Sequence, residues 1–97
     1  MHSECRDETV YLSGEVTVAT VTAPLFHAYC QQLGYLKNSL APAIDFSGVS
    51  QADSVCISLM ATAKRSRPEA AAWVFRGLPA GVAALAELYE VGGWITS

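Results

Sequence analysis

Apolar residues change their spacing in alternation along this chain, and that alternation restricts the fold more than any single motif. Thr9 to Val18 is rich in β-branched and aromatic residues, with Ser13-Gly14 as a turn or bulge splitting it into two short strands. From Thr20 to Tyr35 the spacing becomes helical. Phe26, Tyr29, Cys30 and Leu33 share one face, Thr22 can cap, Pro24 suits a first turn and Gly34 sits near the stop. Ala43-Ile44-Asp45-Phe46 reads as a short buried strand ended by Ser47-Gly48. Asp53-Ser54 then opens a helix over Val55 to Arg65, with Lys64 and Arg65 in the last turn, where cations complement the helix dipole. Ala72 to Phe75 is another buried strand. Gly77-Leu78-Pro79 opens a last helix to about Glu90, with Leu78, Val82, Leu85 and Tyr89 on one stripe. Trp94-Ile95 adds a terminal strand or packs on the core. The order ββ-α-β-α-β-α predicts an α/β sandwich around a mixed central sheet.

The chain has 97 residues, the size of one domain, and no repeat or linker divides it. Residues 1–8 hold no apolar run, so they read as a flexible N-terminus and not as a signal peptide. No apolar stretch is long enough to span a bilayer. Net charge is −3, and half of the basic residues fall in the one run Lys64, Arg65 and Arg67, thin cover for a phosphate backbone. Cys5, Cys30 and Cys56 are widely spaced and form no CxxC, which argues against a disulfide framework. With His2 and His27 isolated as well, no metal site is expected, and reduced thiols fit the cytoplasm.

Charged residues make up 15% of the chain, against about 25% in an average soluble domain. The deficit is concentrated between Asn38 and Ala63, where Asp45 and Asp53 carry the only charges. Along the helix that follows, Ser54, Ser58, Thr62 and Arg65 form a narrow stripe flanked by Val55, Ile57, Leu59 and Ala61. A surface helix usually carries a broad polar face. Two readings stay open: burial on both sides within the domain, or one side in the core and the other facing a partner. Asp53 or Ser54 can cap this helix, a stabilisation of about 0.5–2 kcal/mol over alanine. A phosphate on Ser54 would add negative charge at the positive end of the dipole.

The run Asp45-Phe46-Ser47-Gly48-Val49-Ser50-Gln51-Ala52-Asp53-Ser54 resembles the signature of STAS domains, the family of sulfate-transporter tails and anti-sigma-factor antagonists. Leu12-Ser13-Gly14-Glu15-Val16 is similar to the family's opening strand. Gly77-Leu78-Pro79 with its Leu-rich helix is similar to the last one. The resemblance covers about Thr9 to Ile95 and implies a small STAS-type sandwich, a single domain over 1–97 with helices mainly on one sheet face. Within the family, the short form with Leu59-Met60 running to Ala63-Lys64 resembles the B subunit of Mla-type phospholipid transporters.

That likeness implies a non-catalytic subunit without cofactor or metal. It would bind the cytoplasmic ATPase of a phospholipid-transporting ABC complex, alongside a membrane permease, and support assembly and activity. The subunit would be cytoplasmic and peripheral at the inner membrane through its partner. The partner-binding residues would be Asp53, Ser54, Val55, Ser58 and Thr62. In the anti-sigma-factor antagonists the position of Ser54 is the phosphorylation site, which makes a phosphorylation switch the alternative. The family places glycine two residues after that hydroxyl; here it is Cys56, so the close backbone approach that glycine allows is lost. Catalysis finds little footing. Gly48-Val49-Ser50-Gln51-Ala52 only half matches a nucleophile elbow, and both histidines precede Ser50.

Overall fold

A computed structural model describes residues 1–36, 39–66 and 73–88. The elements run β1 (His2–Arg6), β2 (Thr9–Val16), α1 (Ala23–Tyr35), β3 (Ala43–Ala52), α2 (Val55–Ser66), β4 (Val74–Arg76) and α3 (Ala80–Leu88). The sheet order is β1-β2-β3-β4, with β1 antiparallel to β2 and the other two pairs parallel. Parallel neighbours need a crossover, and α1 and α2 supply them. The sheet is therefore mixed, as expected.

Strand alternation decides which face is covered. Cys5, Val10, Ile44 and Phe75 lie in register across the four strands, and Val10, Ile44 and Phe75 are fully buried. With Leu12, Val16 and Phe46 they form one core with Tyr29 and Leu33 of α1, Cys56, Leu59, Met60 and Ala63 of α2, and Val82 of α3. The helices thus sit on this one face. The opposite face carries the register row Glu4, Tyr11, Asp45 and Arg76, and it stays partly or fully open. Arg6 lies 4.5 Å over the Tyr11 ring and 3.5 Å from Glu4 on that side.

Three expectations are corrected. Residues 1–8 are not a loose terminus: His2–Arg6 pairs with β2 through a two-residue hairpin. Asp7 and Glu8 have φ of 49° and 62° there, the left-handed pair that matches the twist of hairpin strands. Thr9–Val16 is one strand and not two, because Ser13-Gly14 is absorbed as a register shift against β3. Ser47-Gly48 likewise ends nothing; β3 runs on to Ala52. Between the pairs Tyr11↔Asp45 and Ser13↔Gly48 the third strand holds one extra residue, a bulge. A Cβ on Gly48 would come within 3.0 Å of the Ser13 Cβ, so this site needs glycine for close approach and not for a turn. Ala72, Tyr89 and Trp94-Ile95 lie outside the described residues.

One core contact escaped the apolar pattern. The Tyr29 hydroxyl donates to the Leu59 carbonyl at 2.7 Å and ties α1 to α2. Burial pushes that hydroxyl well above its ordinary pKa, so it stays a neutral donor.

Candidate functional site

The site lies at the ends of β2 and β3, where β3 hands over to the start of α2 and β2 to the turn before α1. The Asp53 N–H donates to the last residue of β2, Val16 O, at 3.2 Å. Asp53 Oδ1 accepts the Val55 N–H at 2.9 Å, and Oδ2 accepts the Val18 N–H at 3.1 Å. The cap is therefore Asp53, in the side-chain-to-N2 geometry that satisfies an orphan helix donor. Its carboxylate also holds the turn that leads into α1.

Because Asp53 takes the cap, Ser54 is released. It begins the first turn of α2, exposed, with its hydroxyl unbonded among the described residues. Ser58 is exposed one turn on. Thr62 follows half-buried, with its hydroxyl donated back to Ser58 O at 2.9 Å. Val55 is half-buried and packs against the core from the flank. The five residues expected to meet a partner thus share the start and outer side of one helix, with unequal access. Ser54 and Ser58 are open, Asp53 and Val55 are partly covered, and the Thr62 hydroxyl is engaged.

Ser54, Ile57, Ser58 and Ala61 line a shallow groove of about 300 Å³ with no charged side chain in its wall. The structure rules out burial on both sides and leaves the outer side open. Cys56, Leu59, Met60 and Ala63 face the core, and the Ser54–Ser58 side faces out. The position where the resemblance expects glycine is fully buried. Burial first, and the Asp53 carboxylate second, push the Cys56 thiol up to about 12. A thiol so hard to ionise is a core residue and not a nucleophile.

Sequence reasoning missed Val18, the neighbour that Asp53 reaches. Val18 is 78% exposed, with its backbone N–H tied to the start of α2. The signal was present, an apolar residue in a threonine-rich turn, but nothing in the spacing joined that turn to Asp53. Among the described residues no group of three or more His, Cys, Asp or Glu could hold a metal.

No family model matches the chain, and no curated protein matches it in sequence. Among solved structures it is similar to the anti-sigma factor antagonist SpoIIAA in its unphosphorylated form. The TM-score is 0.63 at 13% identity, over 99% of this chain and 86% of that one. Identity that low speaks for architecture alone, and the architecture is the expected one, a mixed sheet with three helices, although its first strand is His2–Arg6 and not half of Thr9–Val18. The chain has a STAS-type fold, with Ser54 standing free at the start of α2.

Proposed function

We propose that this chain is a non-catalytic docking subunit. Its partner is the cytoplasmic ATPase of a phospholipid-transporting ABC complex, bound through the outer side of α2. The observation that carries the docking reading is the uncharged groove over Ser54, Ile57, Ser58 and Ala61. Lasting protein contacts deplete charge at their centre, and a surface helix without a partner rarely lacks it. The choice of ATPase rests on the sequence likeness to Mla-type B subunits. On this reading the chain is cytoplasmic and reaches the inner membrane only through the ATPase and its permease.

The test is a tagged pull-down read by mass spectrometry, with Ser54→Arg as the paired variant. The wild-type chain recovers an ABC ATPase and a permease. The variant loses them, because an unpaired guanidinium would be buried at the contact. Undiminished recovery by Ser54→Arg removes Ser54 from the interface.

A specific observation also favours a second reading, an anti-sigma-factor antagonist switched by phosphorylation of Ser54. The Ser54 hydroxyl is exposed and unbonded, and the fold is that of an anti-sigma factor antagonist. In that case the pull-down returns a serine kinase instead, and Ser54 gains phosphate.

A further inference from the structure

The sheet face away from the helices plays no part in the α2 groove. Across it runs the register row Glu4, Tyr11, Asp45 and Arg76, one residue from each strand. Neighbouring strands lie about 4.8 Å apart, so the row spans roughly 14 Å. Its ends carry opposite charge. Glu4 is exposed at the β1 edge, and Arg76 is exposed at the β4 edge. Arg76 has no carboxylate within ion-pair reach among the described residues. Asp45 stands next to it in register but turns Oδ1 to the N–H and the hydroxyl of Ser47. The Asp45 Oδ2 accepts nothing, and the Tyr11 hydroxyl donates to nothing, among the described residues. Arg6 lies over the Tyr11 ring and pairs with Glu4, yet both side chains of that pair stay more than half exposed.

These charges narrow the choice of occupant. Glu4 and Asp45 offset Arg6 and Arg76, so the four together offer no net field to a phosphate backbone or an anionic bilayer. What the row does match is itself, reversed. A two-fold axis placed between two stacked sheets, parallel to the strands and passing between β2 and β3, turns the row end for end. Then β1 lies over β4 of the second copy, and β2 lies over its β3. Glu4 of each copy meets Arg76 of the other, and the Tyr11 hydroxyl of each meets the Asp45 carboxylate of the other. Sheets stacked face to face stand about 10 Å apart, a gap that such side-chain pairs reach across.

We propose that this open face is a dimer interface, on which a second copy of the chain stacks sheet on sheet through Glu4, Tyr11, Asp45 and Arg76. Every contact is made twice, the isologous closure that two-fold symmetry requires. The outer side of α2 stays exposed in both copies. Dimer formation and α2 docking therefore succeed or fail independently.

Sedimentation of the full chain from micromolar to millimolar concentration tests the dimer, with thermal melts to show that each variant folds. The wild-type chain passes from monomer to dimer, and added salt weakens the dimer. Arg76→Glu and Glu4→Arg each set like charges face to face twice, and each weakens the dimer about a hundredfold. Mixed in equal amounts, these two single variants form a heterodimer. The double variant Glu4→Arg/Arg76→Glu dimerises as wild type, because the row is again complementary to its own reverse. Tyr11→Phe removes the hydroxyl at both symmetry-related contacts and weakens the dimer about tenfold.

A chain that stays monomeric at millimolar concentration overturns the dimer. A dimer that both charge reversals leave intact overturns the contact, as does a loss that neither the mixture nor the double variant restores. A dimer broken by Ser54→Arg but not by Arg76→Glu places the second copy on α2 and overturns the sheet-face contact as well.

Discussion

At one end of the sheet Asp53 holds the Val18 turn; at the other end Glu8 holds the segment that leads into β3. Glu8 Oε2 accepts the Ser39 hydroxyl at 2.7 Å and the Ala41 N–H at 3.3 Å. Each carboxylate latches a loop that carries a strongly exposed apolar residue, Val18 at 78% and Leu40 at 88%. The latches differ in what else they do. Asp53 is half-buried on a short side chain, and its second oxygen caps α2. Glu8 is exposed on a longer side chain that opens no helix and lines no part of the groove. A carboxylate between two loops is an ordinary fastening. It shapes a surface only where the fastening is also the start of a helix.

The comparison can be broken most forcefully at alkaline pH, through Cys56 on the inner side of α2. Its folded pKa is raised from 9.0 to about 12, so the folded state retains a proton that the unfolded chain gives up. Stability at the Asp53 end is therefore fully present below pH 9 and falls as pH climbs toward 12. Urea midpoints across that window decline in the wild type and decline less steeply in Cys56→Ala, where the buried Tyr29 hydroxyl and the Cys5 thiol, both also raised by burial, account for what remains. A slope unchanged in the variant assigns the loss elsewhere.

Gly77 belongs to the same end. It follows β4 with φ of 66°, and a Cβ there would fall 2.9 Å from Ser47 N and Cβ. Gly77→Ala combines left-handed strain with a backbone clash and is expected to cost about 1–3 kcal/mol in urea unfolding. A neutral result shows that β3 gives way beside Ser47.

The two latches can then be cut one at a time. Asp53→Ala loses the cap and is expected to cost about 0.5–2 kcal/mol, with faster hydrogen exchange at the Val18 amide. Glu8→Ala removes only exposed bonds and should stay within about 0.5 kcal/mol. Equal losses for both erase the distinction between the ends.

Much of the architecture was legible beforehand because it depends on short-range pattern. The helices of residues 23–35 and 55–66 follow from apolar steps of three and four residues, and Ile44 and Phe46 follow from a compact buried run. What failed was punctuation. Ser13-Gly14 and Ser47-Gly48 carry turn chemistry, yet both lie inside strands. Glycine answers equally to a turn and to a crowded bulge, and only the neighbouring strand tells them apart. Residues His2–Arg6 lack the apolar alternation of a half-buried strand, because an edge strand gains its pairing from β2 and little from burial. At the candidate site, Ser54 and Ser58 were legible as an uncharged stripe. Val18 was not, since its place beside them depends on a hydrogen bond across 35 residues.

The sequence by itself determined the alternation of strands and helices, the uncharged outer side of α2 and an acid-hydroxyl pair at its start. All three are read within a few residues of one another, where propensity and spacing act. Only the tertiary structure decided which of the pair is the cap. Either side chain can satisfy an N-terminal amide, but Asp53 alone has a second oxygen, and the Val18 N–H stands where that oxygen points. That choice leaves the Ser54 hydroxyl without a hydrogen bond among the described residues and ties the Val18 turn to the start of α2. It follows from the parallel pairing of β2 with β3, which brings the ends of two distant strands together.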